Sequence, residues 1–131
     1  MMMNKLKLLL ILILGVAIGA PFCWADETAY GYIISYSYRD KVVYHTPIFE
    51  NEVDGKSYND EEYVAETKTL MKLESAFQKQ ITQKYKLRDM NFTTSARVAY
   101  KTADIARNKL DKESRDFMFK GLKIKQENFK P

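Results

Sequence analysis

The most regular alternation of hydrophobic and polar positions in the chain runs from Thr28 to Tyr38. Tyrosine and isoleucine occupy most of one parity, whereas the other parity carries mostly small side chains. Aromatic and β-branched residues in such alternation are typical of a β-strand. The pattern resumes from Val42 to Phe49, after the polar Arg39-Asp40-Lys41. The sequence therefore predicts a β-hairpin.

Two registers of this hairpin are open from the sequence. A three-residue turn pairs Tyr36 with Tyr44, which leaves one almost wholly apolar face. A two-residue turn brings His45 beside Ile34, because a shift of one residue exchanges the two faces of a strand. We favour the three-residue turn because it separates polar from apolar side chains better.

An amphipathic helix is predicted after the hairpin. The intervening segment 50–59 is polar and contains the turn dipeptide Asp54-Gly55, so it is expected to be a loop. Asn59 or Asp60 can cap the helix that follows, and nearby carboxylates suit the positive end of the helix dipole. Its apolar positions recur at helical spacing; they are Tyr63, Leu70, Phe77, Ile81 and Tyr85.

The second half of the chain predicts a strand, a helix and a last strand. The first strand is expected over Ser95–Lys101. Thr102 is a suitable N-cap for a helix from residue 103 to about 120, and Gly121 can end that helix in the left-handed conformation. Leu122–Phe129 alternates again and closes the chain as a strand.

The element order is thus β-β-α-β-α-β, which predicts an α+β fold. Packing both helices on one face of a four-stranded sheet would bury their apolar stripes. A right-handed crossover would join the last two strands if they are parallel neighbours.

The first 25 residues have the pattern of a cleavable signal peptide. Lys5 and Lys7 form a short cationic segment, and the apolar run that follows, residues 8–20, is about 13 residues long. A membrane-spanning helix needs about 20 residues. Cleavage is expected after Ala25, because Cys23 and Ala25 place small side chains where a signal peptidase reads them. We therefore expect a signal peptide over 1–25 and a single small α+β domain over 26–131, located in the periplasm or secreted. An uncleaved membrane anchor is the alternative.

Composition limits the chemistry of the predicted domain. Cys23 is the only cysteine of the chain, so the mature domain is cysteine-free, which excludes thiol catalysis, iron–sulfur clusters and cysteine zinc sites. His45 is the only histidine, so a cluster of histidine metal ligands is excluded as well. The acidic residues of segment 50–62 lack the spacing of an EF-hand calcium loop. We therefore expect no metal ion and no cofactor.

The charges of the predicted domain are unevenly distributed along the sequence. Residues 26–78 carry 5 basic and 11 acidic side chains, a balance of −6, whereas residues 79–131 carry 14 basic and 6 acidic ones, a balance of +8. Ordinary solvated surfaces account for such a difference, since the fold can interleave the two halves. A basic face for an acidic partner is the sharper interpretation.

Two groups of residues are candidates for contact with a partner. One is the tyrosine stripe of the hairpin, which suits either a core with a hydrated rim or a recognition surface; we favour the core, because a sheet must bury a face under its helices. Its members are Tyr30, Tyr32, Tyr36, Tyr38 and Tyr44. The other group comprises His45 and the basic residues Lys79, Lys84 and Arg88.

The absence of a recognisable catalytic arrangement favours a non-enzymatic protein-interaction module, such as an inhibitor or immunity-type protein that binds another envelope or secreted protein. A small envelope hydrolase that uses carboxylates and His45 is one alternative. A structural envelope component anchored by an uncleaved N-terminal segment is another. Nucleic acid is not an expected partner, because the glycine-aromatic signature of RNA-binding sheets is absent. Membrane contact is expected only through the signal segment before cleavage, and the oligomeric state is open.

Overall fold

The computed structural model describes residues 26–131, so the predicted signal peptide and its cleavage site lie outside the described residues. The described chain is α+β, as predicted, but its mixed sheet has five strands rather than four. The strands are β1 (Glu27–Ser37), β2 (Val42–His45), β3 (Phe49–Val53), β4 (Thr93–Tyr100) and β5 (Lys123–Gln126). The helices are α1 (Thr67–Tyr85) and α2 (Ala103–Phe119), and a short 3-10 helix, Asp89–Asn91, follows α1.

β1 is the central strand of the sheet. β4 pairs antiparallel with one edge of β1, while β2 and β3 follow one another along the other edge, also antiparallel. β5 runs parallel to β2 on its outer side. β4 and β5 therefore lie at opposite sides of the sheet. The right-handed crossover, which is expected only if the last two strands are parallel neighbours, does not form between them.

The hairpin adopts the register that we did not favour. Ile34 pairs with His45, as expected for the alternative with the shifted second strand. The turn is stabilised by its own side chains. The Ser37 hydroxyl accepts the Asp40 N–H at 3.0 Å and donates to the Asp40 carboxylate at 2.9 Å, and Lys41 takes a positive φ of 53°. The separation of polar from apolar side chains does not predict the register here, because β1 is buried on both faces. The contacts within the turn set the register instead.

The polar segment predicted as a loop contains β3, which pairs with the first half of β1. α1 accordingly begins at Thr67 rather than near Asp60. The Asn59 side chain does accept two backbone N–H groups, those of Glu61 and Glu62, at 2.8 Å each. It closes a turn instead of capping a helix. The residues of this turn then pair with the end of β4, which removes them from the helix.

The two helices lie on opposite faces of the sheet, not on one face as predicted. α1 packs on the face that includes Ile33, and α2 packs on the face that includes Tyr32 and Ile34. The α1 side chains buried there are Leu73, Phe77 and Ile81; those of α2 are Ala106, Leu110 and Phe117. The small residues of β1 lie on the α1 side. Their size permits close packing of a helix. The face of β1 with the small side chains is therefore covered by α1.

The ends of α2 are as predicted. The Thr102 side chain accepts the Ile105 N–H at 3.2 Å and caps the first turn. Gly121 has a φ of +84°, and its N–H donates to the Met118 carbonyl at 3.0 Å. A left-handed glycine therefore ends the helix and turns the chain towards β5.

A second glycine permits the close approach of β4 to β1. The pairing shifts register between Tyr30 and Tyr32, which places Gly31 at an irregularity of the ladder. A Cβ atom on Gly31 would lie 2.0 Å from the Arg97 carbonyl oxygen and 2.3 Å from the Val98 Cα. Only glycine fits there without a shift of the backbone.

Candidate functional site

The outer edge of β4 is occupied by the protein itself. The Ala96 N–H donates to the Glu74 carboxylate of α1 at 2.9 Å. At the end of the strand, the Tyr63 N–H donates to the Ala99 carbonyl at 2.8 Å. A helix side chain and a loop therefore protect this edge from pairing with another strand.

The outer edge of β5, in contrast, is open. The N–H groups of Lys123 and Glu127 point inward and donate to backbone carbonyls at 3.0 Å and 2.8 Å. Alternate residues of a parallel strand direct their backbone groups to opposite sides, so Ile124 and Gln126 direct theirs outward. Within the described part of the chain, these outward groups have no hydrogen-bond partner. They form a template on which another strand can pair.

A buried carboxylate holds the end of β5 against α1. Glu127 accepts a hydrogen bond from the Lys84 ammonium at 2.8 Å and another from the Tyr85 hydroxyl. Burial alone would raise the pKa of Glu127, but these hydrogen bonds outweigh it and hold the pKa below its usual range. The same contact raises the pKa of Lys84 and of Tyr85. The end of β5 is thus fixed by α1 as well as by β2.

Cations line the α1 side of this edge. Tyr44 of β2 and Tyr85 of α1 stack with their ring centroids 4.9 Å apart. Burial, followed by the neighbouring Tyr85, raises the pKa of Tyr44. The Lys125 Nζ lies 6.0 Å and 5.8 Å from the centroids of the two rings. Together with the exposed Lys123 and the half-exposed Lys84, it places positive charge beside the open strand.

On the α2 side of β5, His45 lines an open depression with polar residues of α2. Asp111 and Ser114 border the same depression. The His45 Nδ1 is engaged by the Thr46 carbonyl oxygen at 2.8 Å, and neither Asp111 nor Ser114 is hydrogen-bonded to the imidazole among residues 26–131. Activation of a nucleophile requires contact with its base. The geometry therefore brings suitable side chains to one region without assembling a catalytic relay.

The hairpin tyrosines do not form one recognition surface. Tyr32 and Tyr44 are buried and offer no area to a partner. Tyr30 and Tyr36 are half-buried against the core beneath α2. Only Tyr38, at the turn, is largely exposed, at 53%. The core interpretation is thus confirmed for Tyr32 and Tyr44.

The Tyr32 hydroxyl ties the sheet to α2. It donates to the Glu113 carboxylate at 2.5 Å, and the Arg97 Nε of β4 contacts the same oxygen at 2.6 Å. Burial, reinforced by the hydrogen bond to Glu113, raises the pKa of Tyr32. Burial raises the pKa of the neighbouring Tyr100 as well. Burial alone would lower the pKa of Arg97, but the charge and hydrogen bond of Glu113, together with the nearby Tyr32 and Tyr100, raise that pKa. This cluster is a structural tether that contains a phenol, a carboxylate and a guanidinium.

The three basic candidates of the α1 region do not share a face. Lys79 borders an exposed groove on the β4 side, together with Thr94. Lys84 reaches Glu127 beside β5 instead. Arg88 is exposed beyond the end of the helix. Of the three, only Lys84 belongs to the open edge.

Residues 26–131 contain no group of three or more histidine, cysteine, aspartate or glutamate side chains placed to hold a metal ion. In the same range, no helix is both long and apolar enough to cross a membrane.

Comparison of the chain with protein-family models, with curated proteins and with solved structures finds no match. The proposed function therefore rests on the geometry of the described residues and on the sequence pattern.

Three residues of the open edge are not evident as candidates from the sequence: Lys125, Gln126 and Glu127. Glu127 carries a signal, because it is the only acidic residue after Asp116 in a lysine-rich tail. No feature of the sequence singles out Gln126. Its importance depends on which backbone groups point away from β2, and that is fixed by pairing between strands distant in sequence.

Proposed function

We propose that this protein is an exported, non-enzymatic interaction module that pairs β5 with a strand of another envelope or secreted protein. The contrast between the strands β4 and β5 carries the proposal: the outer side of β4 is capped, whereas β5 presents outward backbone groups at Ile124 and Gln126. Strand addition gives affinity through main-chain hydrogen bonds and specificity through flanking side chains. An inhibitor or immunity-type protein is one form of such a module. Export itself rests on the pattern of residues 1–25.

The charges beside β5 favour an acidic partner. Lys123 and Lys125 are exposed on a strand of only four residues. Lysines at an edge discourage pairing between two copies of the same edge, because like charges would meet. An acidic strand would instead neutralise them. We therefore expect a different protein, rather than a second copy, to occupy this edge.

Side chains must supply much of the affinity. The outward N–H and C=O groups of Ile124 and Gln126 allow at most four main-chain hydrogen bonds, each worth about 1 kcal/mol. A total of about 4 kcal/mol corresponds to a Kd of only about 1 mM. The depression bordered by His45 and the cations around Lys125 are the flanking regions available for further contacts.

Replacing Gln126 with proline tests the main-chain contact. Gln126→Pro removes an outward N–H, and proline is tolerated on an edge strand whose N–H faces solvent. Gln126→Ala is the matched control, since it removes the same side chain but keeps the N–H. In pull-downs from envelope extract of the source organism, we expect wild type and Gln126→Ala to recover the same discrete partner and Gln126→Pro to lose it. Equal recovery by all three proteins would contradict strand addition, as would the absence of any partner.

Charge reversal tests the acidity of the partner. We expect Lys123→Glu with Lys125→Glu to reduce recovery of that partner. The control is Lys68→Glu with Lys72→Glu, which reverses two exposed charges of α1. Equal effects of the two double variants would show that net charge, rather than the β5 edge, governs binding.

A further inference from the structure

A second surface lies where the β1–β2 turn meets the end of α2. We call it the basic-apolar tip, and its residues are Tyr38, Arg39, Lys41, Met118, Phe119 and Lys120. Phe119 is 90% exposed, Met118 is 61% exposed and Tyr38 is 53% exposed. Large apolar side chains exposed together mark interaction surfaces more often than ordinary solvent contact.

The turn and the helix end are joined into one unit. The Lys120 Nζ donates to the Tyr38 hydroxyl at 3.3 Å and lies 5.8 Å from the centroid of its ring. The Lys123 N–H donates to the Lys41 carbonyl at 3.0 Å, just after the helix. The exposed residues of the tip therefore belong to two segments that contact each other.

Basic residues outnumber acidic ones in the two segments that carry these apolar side chains. Arg115 precedes Phe119 by one helical turn, and Lys123 follows the tip, so five cations accompany the three apolar residues. The acidic residues of the same segments are Asp40 and Asp116. Asp40 is engaged within the turn, where its carboxylate accepts the Ser37 hydroxyl. The tip is net cationic.

We propose that the basic-apolar tip rests on an anionic phospholipid surface. Exposed phenylalanine and methionine can enter the boundary between headgroups and acyl chains, while lysine and arginine remain at the anionic headgroups. Apolar burial and attraction to anionic lipid together give peripheral binding, whereas either contribution alone gives weak binding. This contact involves the folded protein, so it differs from the membrane contact expected of the signal segment alone.

The basic-apolar tip can contact lipid while the open edge of β5 binds a protein partner. β5 starts at the tip with Lys123 and leads away from it to Gln126, a distance of about 10 Å at the rise of a strand. A protein resting on lipid through Phe119 would keep the Gln126 end of the edge accessible to a partner. The lipid proposal does not rest on the proposed protein partner.

Vesicle sedimentation tests the tip directly. The polypeptide 26–131, checked first for cooperative thermal unfolding, is mixed with phosphatidylcholine vesicles with and without phosphatidylglycerol. We expect binding only to the anionic vesicles and release at high salt. Met118→Ser with Phe119→Ser should weaken binding at least tenfold. The control, Met71→Ser with Met90→Ser, removes two exposed apolar side chains elsewhere and should leave binding unchanged.

Charge variants separate the two contributions to lipid binding. Lys120→Gln should reduce the affinity for anionic vesicles about fivefold, the effect of one cation near such a surface. Gln126→Pro should leave vesicle binding intact, so failure of the strand-addition proposal would not affect this test. No binding to anionic vesicles, or equal binding by the Met118 and Phe119 double variant, would overturn the proposal. Loss of a soluble protein partner by that double variant without lipid would assign the tip to a protein interface instead.

Discussion

Removal of the Tyr32 hydroxyl is expected to loosen α2 from the sheet. Tyr32→Phe keeps the buried ring and deletes only the hydrogen bond to Glu113. Hydrogen bonds to charged groups contribute about 1.5–3 kcal/mol. The Glu113 side chain is 25% exposed, so water can partly replace the lost donor. We therefore expect a loss near the lower limit, about 1.5 kcal/mol.

The assay is a double-mutant cycle with Glu113→Gln. Urea denaturation gives the free energy of unfolding of the wild type, the two single variants and the double variant, and thermal denaturation gives their Tm. At about 4–8 °C per kcal/mol for a domain of this size, Tyr32→Phe alone should lower Tm by roughly 6–12 °C. Because the two side chains contact each other, the effects of the two substitutions should not add, and their coupling should be about 1 kcal/mol or more. Additivity within about 0.5 kcal/mol would refute the claim that this hydrogen bond stabilises the fold.

Three further predictions concern stability. Gly31→Ala should prevent folding or strongly lower Tm in thermal denaturation, because its Cβ would lie 2.0 Å from the Arg97 carbonyl oxygen; a wild-type Tm would refute this. The lowered pKa of Glu127 implies a stabilisation that is present above its unfolded pKa of about 4.3 and is lost as pH falls through the folded value. Glu127→Gln should therefore flatten the acid side of a plot of urea midpoint against pH, and an unchanged plot would contradict this. The raised pKa values of Tyr32 and Tyr100 imply a stabilisation that is complete below about pH 10 and is lost as pH rises through their folded values. Tyrosinate absorbance should show these phenols ionising only as the protein unfolds, and normal titration in the folded state would exclude their burial.

Local sequence signals predict the elements that depend on nearby residues. The N-cap at Thr102 and the left-handed Gly121 define α2 almost to the residue, because capping involves contacts within one turn. The alternation of β1 is equally local. It requires only that tyrosine and isoleucine recur at every second position.

Predictions that depend on distant partners fail. Asn59 with the acidic residues after it has the composition of a helix start, yet the strand β4 pairs with Glu62 and holds that segment extended. Both helices are predicted to pack on one face of the sheet, but α1 packs on the face opposite to α2 and buries Ile33. Neither competing contact is visible from local spacing.

The candidate site is predictable only in part. Lys84 and Tyr44 are candidates from the sequence, and the structure brings both beside β5. The edge itself is not predictable, since it depends on the parallel pairing of β5 with β2 across most of the chain. Composition indicates which charges are present, whereas topology decides which backbone groups remain open.

Amide hydrogen exchange at β5 tests the central claim most directly. The outward N–H groups of Ile124 and Gln126 should exchange rapidly in the free protein, because no described residue accepts them. In complex with the partner recovered by wild type, both amides should become protected. Protection confined to another surface, with Ile124 and Gln126 still exchanging at the rate of the free protein, would contradict the account.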